Sequence, residues 1–173
     1  MLEKSIESAL NAQLEKEASA SNSYLAMAVW CDQQSLDGCA QFFYRQADEE
    51  RMHMMKILHY LIERNGQVLI PAIEQPKTAF DHIQDVFEST YKQEQSVTQS
   101  IYELLNMAQS KMDHSTQNFL QWYVTEQREE EATVMKILDR LGLIGESPLR
   151  LYYIDQEVDK INRQIQASEG TQD

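Results

Sequence analysis

The chain has 173 residues, 42% hydrophobic and 25% charged, the balance of one domain with its own core. Twenty-eight acidic residues against 15 basic ones give a net charge of −13, which repels nucleic-acid phosphates and favours cations as partners. No run approaches the ~18 apolar residues of a membrane helix. Met1-Leu2-Glu3-Lys4 lacks the basic start and apolar stretch of a signal peptide, so a cytoplasmic location is expected, with no nucleic acid or membrane as partner. Cys31 and Cys39, eight apart, match no zinc or redox spacing and read as two free thiols.

Only 5 Gly and 3 Pro leave little material for turns, which favours a few long helices. From about Ser5 to Gln33 the residues Ile6, Leu10, Gln13, Glu17, Ala20, Tyr24, Met27 and Cys31 alternate spacings of four and three, one stripe of an amphipathic helix. Ser35-Leu36-Asp37-Gly38 reads as a short turn. A second helix is expected from about Cys39 to Arg64, with the seam Phe43, Ala47, Glu50, Met54, Ile57 and Leu61, stopped by Asn65-Gly66 in a left-handed conformation.

Gln67 to Phe80 has no helical period and carries Pro71 and Pro76. It exceeds the usual helix–helix link of roughly 2–8 residues, so it is long enough to cross the bundle and leave helices two and three parallel. The third helix is expected from about Asp81 to Lys111, on Ile83, Phe87, Thr90, Glu94, Val97, Ile101, Leu104 and Ala108. Asp113-His114-Ser115 reads as a tight turn, with Ser115 or Thr116 capping a fourth helix to about Leu141. That helix carries Leu120, Tyr123, Gln127, Glu130, Val134, Ile137 and Leu141, and Gly142 and Gly145 end it. Ser147-Pro148 opens a short fifth helix over about 147–163. The expectation is one all-α domain over 1–165, a four-helix bundle over about 5–142 plus the fifth helix, and a polar tail over 166–173.

Each long seam is apolar except near its middle. The breaks are Gln13 and Glu17, then Glu50 and His53, then Glu94, then Gln127 and Glu130. Singly, each has an ordinary explanation: a boundary glutamate reaching solvent, or a structural histidine. Together, at matching depth, they place four carboxylates and an imidazole around one point. A buried carboxylate loses several kcal/mol of solvation even after relaxation, and no Lys or Arg shares these seam positions. Bound cations neutralise such a set, and its hard-to-borderline donors suit Fe or Mn, with Zn as a competitor. Glu49, Glu126 and Glu129 flank the seam as a second, wetter acidic group, although a run such as Glu129-Glu130-Glu131 is also what a solvated helix face looks like. Tyr24, two turns from Glu17, is placed to hydrogen-bond a carboxylate, donate an electron or pack. Trp122 reads as packing.

These residues resemble the ferritins, most closely the haem-free bacterial ferritins. The resemblance runs from Leu2 to about Ile161. It rests on Glu17 with Tyr24, on Glu49-Glu50-Arg51-Met52-His53, on Tyr91-Lys92-Gln93-Glu94-Gln95, and on Asn118 to Gln127 running into Glu129-Glu130-Glu131. A Glu-x-x-His motif occurs once, at Glu50 to His53, and the second copy reads Gln127 to Glu130, unlike the symmetric bacterioferritins and rubrerythrins. Arg51 follows Glu50 where bacterioferritins carry their haem-ligating Met, so no haem is expected. Rubredoxin-like Cys pairs and the Lys-rich tail of the miniferritins do not occur in this sequence.

The resemblance implies one iron held by Glu17, Glu50 and His53. It implies a second held by bridging Glu50, Glu94 and Glu130, with Gln127 nearby, and a third site at Glu49, Glu126, Glu129 and Glu130. It further implies oxidation of Fe(II) by O2 or H2O2 and storage of ferric mineral inside a 24-subunit shell. The alternative is a di-iron oxidase or peroxidase of the same superfamily that stores no iron. A bundle whose acidic residues serve only solubility is the third reading.

Overall fold

The computed structural model describes residues 2–169, with side chains through Ala167. Five helices account for the ordered elements: α1 (Lys4–Gln33), α2 (Asp37–Glu63), α3 (Ile83–Ser110), α4 (His114–Ile144) and α5 (Arg150–Glu169). There is no strand among the described residues. The all-α bundle with one crossover and a fifth helix is therefore as the seams predict. Three boundaries differ most. α4 runs through Gly142 to Ile144 before Gly145, at φ 61°, ends it. α5 starts at Arg150, after a turn in which the Arg150 amide donates to the Ser147 carbonyl, and continues past Arg163 to Glu169. The expected tail thus begins within a helix, and its last residues, 170–173, lie outside the described ones.

Three helix ends close in the same way. Ser35, Asn65 and Met112 each take positive φ, and the next amide reaches back to the last turn: Leu36 N to Cys31 O, Gly66 N to Leu61 O, and Asp113 N to Ala108 O. This satisfies carbonyls that a helix end leaves without partners. The α4 cap is Asp113 rather than Ser115 or Thr116. Its carboxylate accepts from the Thr116 amide at 3.0 Å and from both terminal nitrogens of Arg64 at 3.1 Å, tying the end of α2 to the start of α4.

α2 has no side-chain cap of its own. Asp155 of α5 supplies one, accepting from the Cys39 amide at 2.9 Å. The approach depends on Gly38, since a Cβ there would stand 2.4 Å from the Asp155 carbonyl oxygen. Cys31 and Cys39 are both free and fully buried in this end of the core, and burial pushes the Cys31 thiol up to about 12.

The crossover, residues 64–82, starts beside the beginning of α1, where Gln67 and Leu69 bond Glu7 and Asn11. It ends beside the end of α1, where Phe80 packs edge-on to Trp30. It therefore traverses the bundle, and α2 and α3 run parallel.

The core confirms this direction. It has two apolar clusters. One gathers Tyr24 to Cys31, Cys39 to Ala47, Ile83 to Phe87 and Ile137 with Leu141. The other gathers Leu2 to Leu14, Ile57 to Leu61, Val97 to Ala108 and Leu120 with Tyr123. Chain order through the clusters is the same for α2 and α3 and reversed for α1 and α4. Gln13, Glu17, Glu50, His53, Glu94 and Gln127 are all buried and fall between the two.

Candidate metal centre

α1 delivers Glu17 and α2 delivers Glu50 and His53, which share a face because they are three apart. One ligand atom from each lies within 4.8 Å of the others. Glu17 and Glu50 are fully buried and His53 nearly so. His53 Nδ1 stands 3.3 Å from Glu50 Oε2 without forming a hydrogen bond. Four atoms of this cluster, Glu17 Oε2, both Glu50 oxygens and His53 Nδ1, are buried without a hydrogen-bond partner. Native interiors satisfy nearly all such atoms, so a convergent set is what a bound cation explains. The α2 seam passes through His53, and Met54 is only half-buried, a small rotation from the expected stripe.

The supporting bonds hold each group from behind. Gln13 Nε2 donates to Glu17 Oε1 at 2.8 Å, and the Ser100 hydroxyl donates to Gln13 Oε1 at 2.6 Å. Tyr123 donates its hydroxyl to the His53 backbone carbonyl at 2.7 Å, and the His53 ring meets Trp122 and Tyr123 edge-on. On α3, fully buried Glu94 receives the Tyr24 hydroxyl on one oxygen and Gln127 Nε2 on the other, the latter at 2.9 Å. Gln127 Oε1 is left buried and without a partner, which suits a weak ligand or an acceptor. Glu130 of α4 receives Gln46 Nε2 at 2.8 Å.

Electrostatics agree with this arrangement. Burial first, and then the charge of neighbouring glutamates, raises the carboxyls of Glu17, Glu50 and Glu130 well above the ordinary range. Glu94 is raised by burial too, against the opposing bonds from Tyr24 and Gln127. Tyr24 is raised by burial and by the charge of Glu94, so it is a neutral phenol and a donor. Burial thus favours the protonated form of each carboxyl, and a bound cation would favour the ionised one.

The outlying acidic group is only partly gathered. Glu49 and Glu126 line a groove between α2 and α4 of about 830 Å³, with His53, His59 and Trp122. Glu49 is also paired with Arg45. Glu129 is exposed, 3.8 Å from Arg128. The seam pattern includes Gln13 and Tyr123 but not their supporting roles, and it does not include Gln46 or Arg45. Gln46 was legible: it lies three after Phe43 and four before Glu50, on the buried stripe.

Comparison with known proteins agrees with this geometry. The ferritin family model, described as a ferritin-like domain, matches residues 7–144. A bacterial non-heme ferritin of Campylobacter jejuni is 44% identical over 161 residues, covering 93% of this chain and 96% of the relative. One from Escherichia coli O157:H7 is 39% identical over 155 residues, covering 90% and 94%. The open pore ferritin of the archaeon Archaeoglobus fulgidus superposes with a TM-score of 0.89 at 39% identity, covering 92% of this chain and 98% of that one. This chain belongs to the ferritin family, among the bacterial non-haem ferritins.

Proposed function

We propose that this protein is an iron-storing ferroxidase. It takes up Fe(II) as substrate at a paired site inside each bundle, oxidises it with O2 or H2O2, and stores Fe(III) as mineral within a 24-subunit shell in the cytoplasm. The observation that carries this reading is the cluster of buried, partnerless donor atoms on Glu17, Glu50 and His53. Glu17, Glu50 and His53 hold one iron. Glu50 bridges to a second held with Glu94 and Glu130, and Gln127 Oε1 stands beside it. Two Fe(II) supply the two electrons that take one O2 to peroxide or one H2O2 to water. Carboxylate oxygens favour Fe(III) over Fe(II), so the ligand set assists electron loss. Tyr24 and Gln127 orient Glu94 for this role.

Glu49, Glu126, Glu129 and Glu130 form the third, wetter site, which receives or passes on iron. In the single chain Glu129 is exposed to solvent. Self-assembly is supported by apolar side chains exposed on the single chain: Leu25 and Val29 on α1, Leu69 and Ile70 on the crossover, and Leu151 and Tyr152 on α5. The test is particle size and iron content before and after aerobic Fe(II) loading of the purified protein. A large particle that gains a mineral core without changing its outer size is expected. A small oligomer that turns over Fe(II) without retaining it would favour the non-storing oxidase instead.

A further inference from the structure

Arg45 and Gln46 lie one turn before Glu49 and Glu50 on α2, outside every group considered so far as a ligand. Gln46 is 1% exposed. Its Oε1 accepts from the Arg45 guanidinium at 2.7 Å, and its Nε2 donates to Glu130 Oε2 at 2.8 Å. An amide has one oxygen and one NH2, so a donor on the oxygen commits the NH2 to the carboxylate. Arg45 is fixed in turn. Its Nε donates to Oδ1 of Asn162 on α5 at 2.6 Å, and another nitrogen pairs with Glu49. Its face rests against the Phe42 ring at 5.6 Å. Three acceptors on three residues set the plane of one rigid fork. Asn162 is 4% exposed on a helix whose seat is fixed at its other end by Asp155 and Gly38.

We propose that Gln46 is the positioning residue for Glu130, and that Arg45 and Asn162 orient Gln46, so that the seating of α5 sets the geometry of the metal positions that use Glu130 and Glu49. This rests on the reading of the site as a multi-metal centre. The Glu17–Glu50–His53 position stands apart from this relay, since Glu17 is held by Gln13 and Ser100. Glu17, Glu50 and His53 already bring their ligand atoms within 4.8 Å of one another, so that position fills first and the relay acts selectively on the later metals. Partners of ligating groups in other metal sites are typically worth about 10–100-fold in affinity.

The experiment is calorimetric titration of the assembled, chelator-treated full-length protein with Zn(II), which cannot be oxidised, with particle size checked for each variant. The wild type is expected to bind at least two ions per subunit in separable events. Gln46→Ala should leave the first event unchanged and weaken the later ones by about tenfold or more. Arg45→Lys should be as impaired as Arg45→Ala, because an ammonium lacks the fork. Asn162→Ala should weaken the later events, and Asn162→Asp, which keeps the acceptor oxygen, should restore them. Unchanged later events in Gln46→Ala, equal loss at all events, or rescue by Arg45→Lys would overturn the proposal. A wild type binding fewer than two ions per subunit overturns the multi-metal reading beneath it, and that arm separates the two failures.

Discussion

Tyr24 of α1 donates its hydroxyl to Glu94 of α3, and both side chains are fully buried. The Tyr24 ring also stacks on Phe43 of α2, at 5.9 Å between centroids, so one side chain connects three helices at the edge of the carboxylate layer. Tyr24→Phe keeps the stack and removes the donor. The expected cost to the metal-free protein is about 1–2 kcal/mol, from an acceptor left unsatisfied in the interior. Thermal unfolding checks the stability change. Stopped-flow absorbance should show the rapid phase of Fe(II) oxidation slowed rather than lost.

Glu50 differs from ordinary core residues in the sign of its effect on stability. Glu50→Ala or His53→Ala should slow the first phase of iron oxidation by well over about tenfold while the particle still assembles. In the metal-free protein, Glu50→Gln should raise stability by about 1–3 kcal/mol, because it removes a buried carboxyl that other carboxyls repel. Oxidation kinetics at the wild-type rate would falsify the site assignment. A lowered melting temperature for metal-free Glu50→Gln would remove the argument from repulsion.

The raised carboxyls make metal-free stability depend on pH with a definite sign. Glu17, Glu50, Glu94 and Glu130 all sit above their ordinary value of 4.5, so between 4.5 and their folded values the native state binds more protons than the unfolded state. Their contribution is fully present below 4.5 and is lost as pH rises through the folded values. Melting temperature in the presence of chelator should therefore fall with rising pH over that window. Saturating Zn(II) should flatten the slope, and titration in weak buffer should show protons released on binding. A flat chelator curve would mean that the carboxyls are not desolvated.

Glu129 tests the division between the paired site and the third site. Glu129→Ala is expected to alter iron stoichiometry and the slower phases, with the first rapid oxidation intact, because this side chain is exposed in the single chain. Loss of the first phase on rapid mixing would merge the two sites into one.

Asp113 carries a purely structural load. It caps α4 and pairs with Arg64, and although burial pushes its carboxyl up, the Arg64 and Thr116 bonds outweigh that and lower it. Asp113→Ala should cost about 1–2 kcal/mol in thermal unfolding, with iron oxidation unchanged. The stability from this group is present above 3.8 and is lost as pH falls through its lower folded value, the reverse of the central glutamates.

Much of this was legible in the chain because the seams are regular. Spacings of four and three identified every long helix, and the polar interruptions at Glu17, Glu50, Glu94 and Gln127 stood at the depth where the structure buries them. Caps were read less well. Ser115 and Thr116 are N-cap types, but Asp113 is the cap because its carboxylate accepts the Thr116 amide, and the added Arg64 pairing comes from a different helix, which no local rule reports. The full length of α5 is legible only from its stripe: Ile154, Val158, Ile161 and Ile165 keep spacings of four and three past Arg163 and pack on the core, although the residues between them are polar. Gln46 is legible by position but not by role, because glutamine on a seam resembles a boundary residue and its partner Glu130 is eighty-four positions away.

The two-part core with a polar layer between its halves has a metric. Leu10, Glu17 and Tyr24 are seven apart, and so are Phe43, Glu50 and Ile57, then Phe87, Glu94 and Ile101, then Leu120, Gln127 and Val134. Every flanking member is essentially fully buried. Each helix thus carries its site residue one heptad from an apolar anchor in both directions, and all four helices share that ruler. One residue inserted or deleted between an anchor and the centre rotates everything beyond it by about 100° and removes that helix from either the core or the site. Length variation in the bundle is therefore confined to the connections, residues 34–36, 64–82 and 111–113, and to the ends. The position of four side chains constrains the length of four helices.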